Sequence, residues 1–163
     1  MEPNLFQQLY QQYYAIVYRI CKGYFKGDTE LAGDMVQEVF IKVWERHDFF
    51  KNECQVSTWI YRITVNVCLT EIRRQKNYIH RINRLDPVGE SQAERMLEET
   101  DILNRCIARL NEPDRVLALL ILEDLSQRDI AQILGLSEVN ARVRIHRLKE
   151  KLKMIYLEIE NNH

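Results

Sequence analysis

The chain has 163 residues, enough for one ordinary domain or two small ones, and 46% of them are hydrophobic, which excludes wholesale disorder. A formal net charge of −1 means that any surface for nucleic acid has to be local, and the longest apolar run, Val116–Leu122, is far too short for a bilayer. Four cysteines (Cys21, Cys54, Cys68, Cys106) form no C-x-x-C pair, so neither a zinc ribbon nor a redox motif is supported, and they read as reduced thiols partly in cores.

The opening "MEPNLFQQ" is neither cationic nor apolar enough for a signal peptide, so a soluble, cytoplasmic protein without membrane insertion is expected. Pro3–Lys26 reads as the first helix. Phe6, Leu9, Tyr10, Tyr13, Val17, Ile20 and Tyr24 share one stripe, Pro3 suits the first turn and Gly27 the stop. A second helix is predicted from about Glu30 to Arg46, burying Val36, Val39, Phe40 and Val43. After the loop "HDFFKNECQV", a third helix starts near Ser57, a plausible N-cap, and runs to about Lys76. It turns Ile60, Ile63, Val67 and Ile72 inward, with Trp59 and Leu69 at the edges.

The pattern then breaks. Pro87, Gly89 and Ser91 lie close together, and Arg81–Glu98 reads as a linker with a local charge of −1. Helical periodicity returns with a short amphipathic segment, Asp101–Leu110. Pro113 marks the start of the next helix, and Ser126 with Asp129 forms a capping box for a short one ending at Leu134. Gly135 supplies a sharp turn, because glycine takes positive φ without steric cost. Ser137 caps a last helix running to about Glu158. Strand-like alternation is found nowhere, so the fold class is all-α.

In the last helix Ala141, Ile145, Leu148, Leu152 and Ile155 must face inward. Asn140, Arg142, Arg144, Arg147, Lys149, Lys151 and Lys153 then face outward, with Val139 and Val143 on the same side. Between Arg142 and Lys153 six basic residues meet one acid, Glu150, in about three turns. A short helix, a glycine turn and a basic second helix make a helix-turn-helix, whose second helix enters the major groove. There arginine pairs with guanine, asparagine reads adenine, and the cations further along suit phosphates.

Two further faces remain in the first half. Asp34, Gln37 and Ile41 lie opposite the buried side of the second helix, an apolar residue among polar ones, as in a protein contact. Trp59, Arg62, Asn66 and Arg73 line the outside of the third helix, with Arg74 and Lys76 adding charge. Rings, amides and cations on one face suit single-stranded nucleic acid, although Trp59 alone reads better as a core residue. His47, His80, His146 and His163 are scattered, and nothing pairs a nucleophile with a base or clusters metal ligands. No catalytic residue, metal site or cofactor is expected.

"DMVQEVFIKVW" (34–44), "STWIYRITVNVCLTEIRR" (57–74) and "LSQRDIAQILGLSEVNARVRIHRLKEKL" (125–152) together resemble the extracytoplasmic-function (ECF) group of the bacterial sigma-70 family. The resemblance implies two small helical domains joined by a flexible linker. Residues 1–80 would be region 2, which binds the clamp helices of RNA polymerase and opens the promoter −10 element. Residues 81–100 would be the linker, and residues 101–163 region 4, whose helix-turn-helix reads the −35 element. Asp34 and Gln37, with Ile41 beside them, fall where the family contacts polymerase. The loop Phe50–Val56, with Lys51 and Asn52, falls where a flipped −10 base is captured. Asn66 matches an asparagine of the −10-reading helix, flanked here by Arg62, Arg73 and Arg74. Asn140, Arg142, Arg144 and Arg147 hold DNA-facing positions, with Ser137 at the helix start. The implied partners are core RNA polymerase, promoter DNA and an anti-sigma protein. Two other readings stay open on the residues alone: a stand-alone helix-turn-helix regulator, and an interaction protein that sequesters polymerase.

Overall fold

A computed structural model describes residues 2–51, 53–82 and 102–161, and among them the chain is entirely helical and turn. Helix α1 (Pro3–Tyr24) ends two residues before the expected Lys26. The Phe25 N–H donates to the Cys21 carbonyl (3.0 Å) and the Gly27 N–H to Lys22 (2.8 Å). Gly27 sits at φ +96°, open to glycine alone without strain. Asp28 caps α2 (Thr29–Arg46), accepting the Leu31 N–H at 3.0 Å. A single 3₁₀ turn (His47–Phe49) leads toward α3 (Val56–Ile82). Ser57 is not the cap of α3. It lies inside the first turn, where the Trp59 N–H already donates to the Gln55 carbonyl at 3.1 Å. The helix also continues six residues past Lys76, through the first two residues of the expected linker. The rest of that segment, 83–100, lies outside the described residues.

The second half contains α4 (Ile102–Ala108), α5 (Glu112–Leu122), α6 (Gln127–Leu134) and α7 (Glu138–Asn161). Asn111 caps α5 through the Asp114 N–H (3.0 Å), and Pro113 occupies its first turn as the sequence suggests. Consecutive side chains from Arg115 to Leu120 are all buried. A helix apolar all round has to be enclosed, and α5 is: α1 packs on one side and α4, α6 and α7 on others.

The two halves therefore share one core. Val17, Ile20 and Tyr24 of α1, Val36, Phe40 and Val43 of α2 and Ile60 and Cys68 of α3 are continuous with Leu117 and Leu120 of α5, Ile130 of α6 and Leu148 of α7. Arg115 fastens the seam. The residue is 6% exposed, and its guanidinium donates to the carbonyls of Leu110 (2.7 Å), Ala108 and Tyr24 (both 3.3 Å) and Ile107 (3.4 Å). Those carbonyls close α4 and α1, whose last C=O groups lack partners within their own helices and carry the negative end of the dipole. Burial lowers the Arg115 pKa from its ordinary value, yet arginine stays charged. Beside it Gly23 lets α5 approach α1, since a Cβ there would fall 2.2 Å from Leu119 Cδ2. The cysteines are free. Cys21, Cys68 and Cys106 are buried, and the hydrogen bond from Cys68 to Cys21 (3.7 Å), with burial, pushes the Cys68 thiol well up.

Candidate nucleic-acid interface

The helix-turn-helix is built by local bonds that the sequence announces. The Ser126 hydroxyl accepts the Asp129 N–H (3.1 Å) and donates to the Asp129 carboxylate (2.5 Å). Gly135 adopts φ 65°, ψ 35°, and the Leu136 N–H returns to the Ala131 carbonyl at 2.8 Å. Ser137 then caps α7 by accepting the Asn140 N–H at 3.2 Å. Across the turn Gln127 Nε2 donates to the Glu138 carbonyl at 3.2 Å, fixing one helix on the other. Ile130, Ala131 and Ile133 of α6 and Ala141 and Leu148 of α7 are buried. The angle between the helices is thus set by packing as well as by the turn.

This leaves Asn140, Arg142, Arg144 and Arg147 exposed, with Val139 and Val143 among them. Ser137 is exposed too, but its hydroxyl oxygen serves as the cap. Of the basic set in α7, Lys151 is engaged, its Nζ 2.7 Å from Asp114 on α5. The free cations thus concentrate at the amino-terminal half of α7, the end that enters a groove.

On α3, Arg62, Asn66, Arg73 and Arg74 are exposed. Arg74 is held against Glu71 (2.8 and 3.1 Å), whose hydrogen bonds raise its pKa further. Glu71 itself is 7% exposed and also receives Gln75 Nε2 at 3.1 Å. Arg74 therefore buttresses a buried carboxylate as well as adding charge. Lys51 is exposed, while Asn52 lies outside the described residues. Trp59 is half-buried, packed on the core and with its ring 5.1 Å from Phe50. Arg62 has a partner that the sequence did not suggest: its Nη2 donates to the Gln132 carbonyl of α6 at 2.7 Å.

On α2, Asp34, Gln37 and Ile41 are exposed on the side away from Val36, Val39, Phe40 and Val43. Trp44 extends this stripe by one more step, 42% exposed and packed edge-to-face on Phe6 with ring centres 5.2 Å apart. The sequence carried the signal, since 34, 37, 41 and 44 continue the 3–4–3 spacing.

Comparison with known proteins supplies a context for the three faces. Residues 9–78 match the family model of sigma-70 region 2, and residues 100–152 match that of sigma-70 region 4. The chain is 26% identical to the ECF RNA polymerase sigma factor SigW of Bacillus subtilis, over 93% of this chain and 89% of that one. It is 30% identical to the RNA polymerase sigma factor SigZ of the same organism, over 78% of this chain and 74% of that one. In structure it resembles the sigma factor RpoE of Bartonella quintana, solved in complex with the anti-sigma factor NepR, at TM-score 0.69 and 17% identity, over 91% of this chain and 96% of that one.

Proposed function

Since the chain belongs to the extracytoplasmic-function group of the sigma-70 family, we propose that each exposed face serves one step of transcription initiation. The protein binds core RNA polymerase, recognises −35 and −10 promoter elements and helps open the DNA between them. We assign docking on polymerase to the α2 stripe of Asp34, Gln37 and Ile41. The −10 element goes to the side of α3 carrying Arg62, Asn66, Arg73 and Arg74, with Lys51 and Asn52 in the loop before it. The −35 element goes to Ser137, Asn140, Arg142, Arg144 and Arg147. The domain limits follow the same division, residues 1–80 and 101–163 with a linker between.

The observation that carries the reading is the pairing of a properly capped helix-turn-helix, its cations exposed on α7, with a region-2 half bearing a separate exposed stripe on α2. A stand-alone regulator has no use for that second half. The work is binding rather than bond chemistry. Holding a base out of the stack costs a few kcal/mol, which stacking and phosphate contacts offset. No helix among the described residues is long and apolar enough to cross a membrane, and we place the protein in the cytoplasm with its polymerase. An anti-sigma protein is the third partner we propose.

The test is run-off transcription with bacterial core polymerase on fragments of the host genome. Discrete start sites that need both polymerase and this protein are expected. A silent reaction, with the protein alone shifting DNA, would establish a stand-alone regulator instead.

A further inference from the structure

Two valines stand where a groove-reading helix meets the bases. Ala141, Leu148 and Ile155 bury one side of α7, and a helix returns to the same side every three or four residues. Val139 and Val143 are one turn apart and fall on the opposite side, 65% and 42% exposed. Neither packs on the core. Helix propensity does not put them there either, since β-branched side chains are among the weaker helix formers. One exposed valine is ordinary, but two in line at the centre of a cationic face do nothing for the fold.

Their surroundings identify the ligand. Arg142 and Arg144 stand on either flank of the valine line and Arg147 follows it one turn on, all exposed. Among the described residues no hydrogen bond or ion pair engages any of the three. An apolar protein partner would bury those cations unpaired, at high cost, whereas a DNA groove meets them with phosphates. Asn140, beside Val139, is also exposed, and its amide suits N6 and N7 of adenine. The apolar group that an A·T pair places in the major groove is the thymine methyl. Glu150, seven residues beyond Val143 on the same line and exposed, is repelled by phosphate and marks the end of the stretch that reads bases.

We propose that Val139 and Val143 each read a thymine methyl group, so that the −35 element is built on A·T pairs with two thymines close together. This rests on the assignment of α7 to the −35 element and adds base identity to it. The two side chains are four residues apart, about 6 Å along the helix, and base pairs follow one another at about 3.4 Å. The two thymines therefore lie within two base-pair steps.

Deoxyuridine is the direct probe, because it keeps every hydrogen-bonding group of thymidine and lacks only the methyl. The full chain is loaded on bacterial core polymerase, and its promoters are obtained by run-off transcription. Each thymine of the −35 element, on either strand, is replaced singly by deoxyuridine, and affinity is measured by competition band shift at fixed salt. Wild type, Val139→Ala and Val143→Ala are compared. Two positions are expected at which deoxyuridine weakens wild-type binding about fourfold, the worth of one buried methyl group. Val139→Ala abolishes the loss at one position and Val143→Ala at the other. A −35 element without such a thymine pair overturns the proposal, as does a wild type indifferent to deoxyuridine, or a loss that persists in both variants. Arg144→Ala and Arg147→Ala, measured in parallel, distinguish that failure from a failure of the assignment beneath it. If they weaken binding, α7 meets the −35 element but its valines do not read it. If they change nothing, or if no start site is found, the −35 assignment falls and the proposal with it.

Discussion

Arg144 and Gln37 hold equivalent places in two different faces. Both are exposed, and among the described residues no hydrogen bond ties either side chain to the fold. Arg144→Ala is expected to weaken promoter binding by about 1–3 kcal/mol, the worth of a base contact, while sparing affinity for core polymerase. Gln37→Ala should do the reverse, and band-shift and polymerase pull-down assays read the two separately. If both variants lost only thermal stability, the face assignments would be wrong. Arg115 is the opposite kind of residue, buried and shared among four carbonyls. Arg115→Met keeps the volume and strands those oxygens, each worth about 1–3 kcal/mol when buried and unpaired. Some will recover water, so a net loss of about 2–4 kcal/mol is expected, read as a fall in the urea midpoint at unchanged slope. Nothing in the sequence marked Arg115 for this task. It sits between Asp114 and an apolar run, where a surface position is the natural reading. Its partners are backbone atoms, which have no sequence signature.

At the scale of elements, local chemistry was the most legible. The capping box at Ser126, the left-handed Gly135 and the Ser137 cap all occur where the sequence places them, because each depends on residues within four positions of one another. Ser126→Ala should cost about 1 kcal/mol of stability, measured by chemical denaturation. It should reduce −35 binding only as far as α6 loosens under α7. Helix ends were less legible. Ser57 looked like a cap because serine favours that position, yet α3 begins one residue earlier, at Val56. Packing of Thr58 and Ile60 into the core fixes the start, and propensity gives way to it. The far end of α3 was missed for a related reason. Residues 77–81 are exposed and lack a buried apolar stripe, so periodicity had nothing to register.

For the whole molecule, the family resemblance already implied two helical bundles, but not that they share a core. Each helix looked complete with its own stripe, and Leu119 read as one more residue of an apolar run. Only the approach of α1 through Gly23 shows where that leucine goes. The joined core has a consequence at high pH. Burial, with weaker contributions from Tyr13 and Glu123, pushes the Tyr61 phenol from 10.0 up to about 12, and Tyr24 is raised for the same primary reason. A raised phenol pKa means that the folded state holds the proton longer. Full stability is therefore present below pH 10 and is lost progressively as pH climbs toward 12, when the unfolded chain ionises first. Thermal melts across that window should show a falling midpoint, and Tyr61→Phe should flatten the fall. An unchanged slope in that variant would assign the loss to other groups.

The placement of the two tryptophans gives the molecule a pair of built-in optical probes. Trp44 stands on the stripe assigned to polymerase, and Trp59 lies against Phe50 beside the loop assigned to the flipped base. Replacing either by phenylalanine leaves a single emitter on one face. With Trp59 alone, a single strand stacking nearby should quench the emission. With Trp44 alone, desolvation by polymerase should shift it to the blue while DNA leaves it unchanged. The order in which the two signals change after mixing would time docking against strand capture without any added label.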